Sequence, residues 1–392
     1  MLVGLFLRGR FPTEKAYGIT TIGTVRSLVK LKHTVYIFCL KSETPGVEIK
    51  GVQVVHYHEN LPARALKFLA LKGSNPLCQI SWILFWKFVF YSNKNRITSF
   101  SLDIAWLRDL SMISFAKKIS SVVIEVHQEF RDRELDSILR KLEKSTLVIA
   151  PISRIIESKL LNANVESRIV YSPMGLDRAQ IKDTEYVHSF LNELKELRIQ
   201  NFQGLRIGYV GKFAPNGYSK GTEDLLALAL LSQNQKLGLA VSITGGTTRE
   251  VLELKAKAKK MLIKDVDFEI EGHQSHKLAL RTMASLHVIV LPAPTSNRYV
   301  GFPIKSLEAI ATGRIVIAAR GSIYKSIFSG EFHPYWYTPG SADSMLEAIH
   351  KATSDPSLER HLIKGLEFSK DYTWDKRTNT IIQALFNTSV SN

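Results

Sequence analysis

Cysteine is almost absent: 392 residues contain only Cys39 and Cys78, each inside an apolar run. This scarcity excludes a disulfide framework and a thiolate zinc site, and a reducing compartment fits it best. Long hydrophobic runs are missing as well, and none reaches the roughly 18 residues of a membrane-spanning helix. Acidic residues are scarce beside basic ones, 36 Asp+Glu against 52 Lys+Arg, for a formal net charge of +16. No low-complexity tract or short-period repeat is present, and no cluster with metal-ligand spacing stands out, so no metal is expected. Residues 1–7 run straight into a strand-like stretch with no basic leader or cleavage site, so no signal peptide is expected and the chain reads as cytoplasmic. Apolar residues make up 45% and charged residues 22%, which excludes extensive disorder.

The basic surplus is uneven. Residues 1–178 hold 26 Lys+Arg against 15 Asp+Glu, which is +11 of the +16. Such a surplus implies an anionic partner: nucleic acid, a phosphorylated substrate or acidic lipid. A nucleic-acid binder would interleave its basic residues with stacking aromatics on a sheet or recognition helix. Here they gather instead around one apolar stretch, 60–102. It holds Arg64, Lys67, Lys72, Lys87, Lys94 and Arg96, no acidic residue, and a dense aromatic run over 80–91. Those twelve nearly continuous apolar residues are too few to span a bilayer but suit an interfacial segment with basic flanks. Trp82, Phe85, Trp86 and Lys87 are thus the expected contacts with an anionic membrane surface, though a buried crossover helix would look equally apolar.

The length fits two domains. Short β-rich apolar runs alternate with helical patterns, the signature of parallel βαβ units. Strands are expected near 2–7, 34–40, 52–57, 103–107, 122–126, 147–150 and 168–171. After a polar helical segment, 183–200, a second series follows near 205–210, 240–244, 267–271, 288–291 and 314–318. The fold class is therefore α/β: a first doubly wound domain over 1–178, a linker over 179–202 and a second doubly wound domain over 203–372. In such sheets ligands bind outside the carboxyl ends of the strands.

Two stretches there carry chemistry. In Gly208-Tyr-Val-Gly-Lys-Phe-Ala-Pro-Asn-Gly-Tyr-Ser-Lys-Gly221 a strand leads through a Gly/Pro/Asn loop to a helix. Lys212 and Lys220 then flank a helix N-terminus, where free N–H groups favour an anion such as a departing diphosphate; two ordinary surface lysines are the plain alternative. In the helix around Leu307-Glu308-Ala309-Ile310-Ala311, a carboxylate stands among apolar residues and needs partners if buried. Ribose hydroxyls would serve; otherwise Glu308 is an exposed residue on an amphipathic helix.

With Gly211-Lys212, Lys220-Gly221 and Leu307-Glu-Ala-Ile-Ala-Thr-Gly313 in that order, the chain resembles the retaining GT-B glycosyltransferases of family 4, which include mannosyl- and glucosyltransferases of bacterial envelopes. The resemblance covers essentially the whole chain and is specific in the second domain. It implies two Rossmann-like domains facing each other across a cleft, with a C-terminal helix, 373–392, that returns to the first domain and is anchored by Trp374. It further implies a hexosyltransferase that moves a sugar from a nucleotide-diphosphate donor to a hydroxyl of a glycan or lipid-linked acceptor in cell-surface polysaccharide (for example lipopolysaccharide) synthesis. The anomeric configuration would be retained and no cofactor or metal used. Lys212 and Lys220 would be catalytic, with Gly18, Gly211, Lys305 and Glu308 binding donor. The family's first acidic position is Val300 here; the local form Pro303-Ile-Lys305-Ser-Leu-Glu308 puts a lysine on the first helical turn in its stead. His127 ends a strand where the family keeps a catalytic His near the donor sugar's hydroxymethyl group, with Glu125 and Glu129 beside it. Arg10, Lys15 and Arg108 are candidates for holding an anionic acceptor, although Arg108 could equally pair with Asp109 or Glu125. Rival readings are a GT-B epimerase, a catalytically inactive nucleotide-sugar-binding protein and a nucleic-acid-binding basic protein.

Overall fold

The computed structural model describes residues 1–387 except 14–15, 43–48, 71–75, 110–111, 117, 128–141, 143–144, 164, 166, 200–202, 215–218, 265–267, 294–301, 329 and 331. Lys15, Lys72, Glu129 and Val300 therefore lie outside the described residues. The chain divides into two compact units, residues 1–174 with 374–392, and residues 175–373.

Among the described residues unit 1 is built on seven parallel strands: β1 (Leu2–Phe11), β2 (Thr34–Lys41), β3 (Val52–His56), β4 (Ile104–Leu107), β5 (Ser121–Val126), β6 (Thr146–Pro151) and β7 (Arg168–Ile169). Their order is β3-β2-β1-β4-β5-β6-β7. Strands covered by helices on both faces read as continuous apolar runs, which explains why β1, β2 and β5 were legible. The core gathers Leu5, Ile37, Trp106, Val123 and Val148 around Ile381 of the last helix, Trp374–Phe386. That helix packs on the helix Ala16–Lys30; Trp374 is 4% exposed, and a Cβ at Gly23 would fall 2.4 Å from its ring. Asp375 adds an ion pair to Lys30 at 2.8 Å and accepts a hydrogen bond from Ser27.

Among the described residues unit 2 has six parallel strands: β8 (Arg206–Val210), β9 (Ala240–Gly246), β10 (Phe268–Gly272), β11 (Val288–Leu291), β12 (Ile315–Ala319) and β13 (Tyr335–Tyr337), in the order β10-β9-β8-β11-β12-β13. The edge strand β13 was not expected; only its aromatic run Tyr335-Trp-Tyr337 hints at it. Residues 179–202, expected as a linker, fall in this unit as far as they are described. The helix Thr184–Ile199 buries Val187, Phe190 and Leu194, and the Arg314 guanidinium lies 4.5 Å from the Phe190 ring centroid. Its polar outer face disguised a core-facing stripe.

In each sheet the strand order reverses once, between β1 and β4 and between β8 and β11. The loops leaving those strands are where a doubly wound sheet opens a crevice for ligand.

Candidate functional site

In unit 2 three strand-end loops converge. Gly211 follows β8, and its carbonyl is approached so closely by Gly245 that a Cβ there, at φ +119°, would fall 2.5 Å away. Gly246 leaves room for the Phe213 ring in the same way. Gly221 has φ +79°, and a Cβ on it would stand 2.3 Å from the carbonyl oxygen of Ala293, in the loop after β11. Glycine at 221 thus meets two demands at once, a left-handed backbone and contact of two loops at the switch point. A capping box pins this arrangement: Thr247 accepts from the Glu250 N–H, while Glu250 accepts from Thr247 N at 2.7 Å and from Ala214 N at 3.0 Å.

Lys212 is exposed and Lys220 half-buried in this loop. Burial lowers the Lys220 ammonium to a pKa of about 8, because a cation taken out of water is disfavoured. The helix after it, Glu223–Gln235, opens two residues beyond the expected Gly221 and carries Glu223 and Asp224 in its first turn. Those carboxylates are engaged locally: Glu223 pairs with Lys257 at 2.9 Å, and Asp224 accepts from the Tyr337 hydroxyl at 2.9 Å.

Glu308 is 2% exposed in the helix Ile304–Ala311, so the exposed alternative is excluded. Its partners come from the chain. His276 Nε2 lies 2.7 Å from Oε1, and Lys305 Nζ lies 2.7 Å from Oε2 as a close ion pair whose angles fall short of a hydrogen bond. Burial works against ionisation, yet Lys305 and His276 outweigh it and keep the carboxyl below its ordinary range. Lys305 is accordingly held by Glu308, a pairing at i,i+3, and His276 is a member of the site that the sequence did not disclose.

In unit 1 a second cluster forms behind β4 and β5. Glu125, 2% exposed, accepts from Trp106 Nε1 at 2.9 Å and Arg108 Nε at 3.0 Å, and pairs with Arg377 Nη1 at 2.9 Å. His127 Nε2 lies 2.8 Å from its Oε2. Burial opposes the Glu125 charge, but Arg377, Arg108 and His127 hold its carboxyl well below the usual carboxylate range. Burial, then the nearby Arg108 charge, lowers the His127 pKa, so the ring is neutral near pH 7. A neutral imidazole beside a carboxylate donates from Nε2, which leaves Nδ1 as an acceptor. With one carboxylate between two guanidiniums the cluster carries a net positive charge.

Arg108 donates to the Tyr17 carbonyl and to the hydroxyls of Thr20 and Thr21 as well as to Glu125. Every arm is engaged inside the fold, which corrects its assignment as an acceptor contact: desolvation and the Glu125 charge draw it inward. Arg10 is exposed, its carbonyl accepting from the Tyr17 hydroxyl. Gly18 is buried where a Cβ would fall 2.0 Å from the Thr13 carbonyl, so it closes the turn after β1 sterically. The membrane set is corrected too. Phe85 and Trp86 are 0% and 6% exposed in the helix Pro76–Thr98, and Trp82 stacks on Phe85 at 5.2 Å beneath the Arg8 guanidinium; only Lys87 faces out.

Among the described residues no group of three or more His, Cys, Asp or Glu is placed to hold a metal ion. Asp265-Val-Asp267 has the Asp-x-Asp spacing that the expectation of a metal-free site passed over. It lies outside the described residues and precedes the first residue of β10, whereas the converging loops follow their strands.

Residues 200–366 match the family of glycosyl transferases group 1. No curated protein matches the chain in sequence at a significant level. Solved structures similar to it include a sucrose-phosphate synthase from Thermosynechococcus elongatus (14% identity, 97% of each chain, TM-score 0.69). Others are Anabaena HepE in complex with UDP (13% identity, 98% of this chain and 99% of that one, TM-score 0.66) and an α,α-trehalose 6-phosphate synthase from Burkholderia multivorans (12%, 98% of each, TM-score 0.68). The loops that converge at the β8–β11 switch point thus lie in the part of the chain that matches the glycosyl transferases group 1 family, on a chain whose fold is similar to that of two-domain GT-B structures.

Proposed function

We propose that this glycosyltransferase moves a hexose from a nucleoside-diphosphate donor to a hydroxyl of a glycan or lipid-linked saccharide at the cytoplasmic face of a membrane, with retention and without a metal. The observation that carries the reading is the contact of the β8 and β11 loops at Gly221, beside the half-buried Lys220. A diphosphate seated there meets backbone N–H groups and a partly desolvated ammonium, both stronger than they would be in water. The UDP bound by HepE makes a uridine diphosphate sugar the first donor to try.

Chemically, the acceptor oxygen bonds to the anomeric carbon on the face the donor leaves. The bond from that carbon to phosphate breaks, and the departing diphosphate keeps the electron pair and takes the acceptor's proton. Lys220 and Lys212 neutralise the charge that develops on the leaving group, the role a divalent cation has in metal-dependent transferases. His127, neutral and with Nδ1 open as an acceptor, suits a sugar hydroxyl donor. Glu308, already ionised and anchored by Lys305 and His276, offers its remaining lone pairs to ribose hydroxyls.

The test is thermal stabilisation by UDP, GDP and their sugars, since a ligand bound only by the native state raises the melting temperature. One diphosphate should raise it clearly; no shift with any of them overturns the donor reading. Glu308→Gln should then raise the Kd of that nucleotide about tenfold, the loss of one charge-assisted hydrogen bond. An unchanged Kd in calorimetry would make Glu308 purely structural.

A further inference from the structure

The helix Pro76–Thr98 has two apolar faces, and only one of them is covered. Phe85, Trp86, Val89, Asn93 and Ile97 point inward at spacings of one, three and four residues. The opposite face, Ile80, Ile83, Leu84, Phe88 and Tyr91, repeats at three and four residues and is exposed, from 38% at Leu84 and Phe88 to 73% at Tyr91. Phe68, 63% exposed, extends it from the neighbouring helix Leu61–Ala70. Six of the fourteen large hydrophobic side chains exposed among the described residues lie in this one stretch, so the pattern is a patch rather than scatter.

Charge decides what the patch fits. Lys87 and Lys94 stand on the exposed face, Arg64 and Arg96 are exposed beside it, and residues 60–102 contain no acidic residue. Glu59, just before the stretch, is neutralised by Lys67 at 2.8 Å. No helix among the described residues is long and apolar enough to cross a membrane. An apolar stripe with a basic, acid-free border and no spanning length is matched by an anionic bilayer surface, in which the stripe enters the headgroup boundary and the lysines meet lipid phosphates.

We infer that this face of the helix Pro76–Thr98, not its tryptophans, docks the protein on anionic lipid. The inference deepens the reading that the acceptor is lipid-linked, but it is measured separately from donor binding.

The experiment is co-sedimentation of the full chain with vesicles of neutral lipid, or of neutral lipid with phosphatidylserine or phosphatidylglycerol. Binding is expected only with anionic lipid and is expected to weaken as salt screens the charges. The double variant Ile83→Ser, Phe88→Ser should bind at least tenfold less, with its melting temperature and its response to nucleotide unchanged. Leu252→Ser with Leu262→Ser, exposed apolar residues of unit 2, should bind as the parent does. Equal binding to neutral and anionic vesicles, or none to either, overturns the inference. So does a dimer in sedimentation that the Ile83 and Phe88 changes dissociate without any vesicle binding, since the face would then belong to a second copy. Failure here with nucleotide stabilisation intact leaves the donor reading standing, and the reverse result spares the docking surface.

Discussion

Lys220 is the residue on which the proposed chemistry depends most. Its replacement by Ala should lower kcat/KM by roughly two orders of magnitude, the range for losing one preorganised electrostatic contact, without lowering the melting temperature. A kcat/KM within twofold of the parent removes it from the mechanism. Burial sets its pKa at about 8, below an ordinary lysine, so the cation that the leaving diphosphate needs is lost as pH rises through 8. The kcat/KM profile should therefore fall above pH 8, and Lys220→Arg should move that limb upward because guanidinium stays charged. Glu125 poses the opposite case. Its carboxylate lies between Arg108 and Arg377, so Glu125→Gln leaves buried positive charge uncompensated and should cost about 3–5 kcal/mol. Because its folded pKa is depressed, this contribution is complete above the unfolded carboxylate range and disappears as pH falls through the folded value. The stability gap between parent and variant should hold at neutral pH and close in acid; a gap that widens in acid refutes the assignment.

At the scale of elements, function rests on how closely loops approach one another. Gly221 allows the β8 loop to touch the β11 loop, and Gly245 allows the β9 end to touch Gly211. Gly221→Ala should cost about 1–2 kcal/mol for its positive φ alone, and the clash with the Ala293 carbonyl should push the loops apart. The expected result is a nucleotide Kd raised at least tenfold with only a modest fall in melting temperature. Tight nucleotide binding by this variant would mean that the loop contact does not shape the site. The helix Trp374–Phe386 acts at a distance of another kind. It fills the unit 1 core with Ile381 and Trp374, and it also delivers Arg377 to Glu125, tying the end of the chain to the orientation of His127.

For the whole molecule, two sheets of matching order each present one switch point; Gly211, Lys212 and Lys220 lie on the loop after β8 and His127 just beyond the end of β5, while Lys305, Glu308 and His276 are carried on helices. On the proposed mechanism Lys220 and Lys212 take over the charge-neutralising role of a divalent cation, so turnover should persist in excess EDTA. Loss of activity to the chelator, restored by manganese or magnesium, would reject the metal-free mechanism and turn attention to Asp265 and Asp267. The basic excess, mostly in the first 178 residues, is accounted for in part by the acid-free stretch 60–102 with its six basic residues.

Local sequence is enough to place twelve of the thirteen strands found among the described residues, because apolar β-rich runs and the helical patterns between them depend only on neighbouring residues. It is also enough to mark Gly211-Lys212 and Lys220-Gly221, since a glycine-bearing loop between strand and helix is a local signal. Three matters were decided only in three dimensions. A helix apolar on both sides has no periodicity that tells its covered face from its open one, so Phe85 and Trp86 became core while Ile83 and Phe88 stayed outside. The partners of a buried charge are chosen by packing: Glu308 meets His276 from another helix, and Glu125 meets Arg377 from the chain's far end. The helix Thr184–Ile199 looked like a linker because its polar face dominates its composition. Burial of Val187, Phe190 and Leu194 made it part of unit 2, since folding counts the apolar area a stripe removes from water, not the average polarity of the segment.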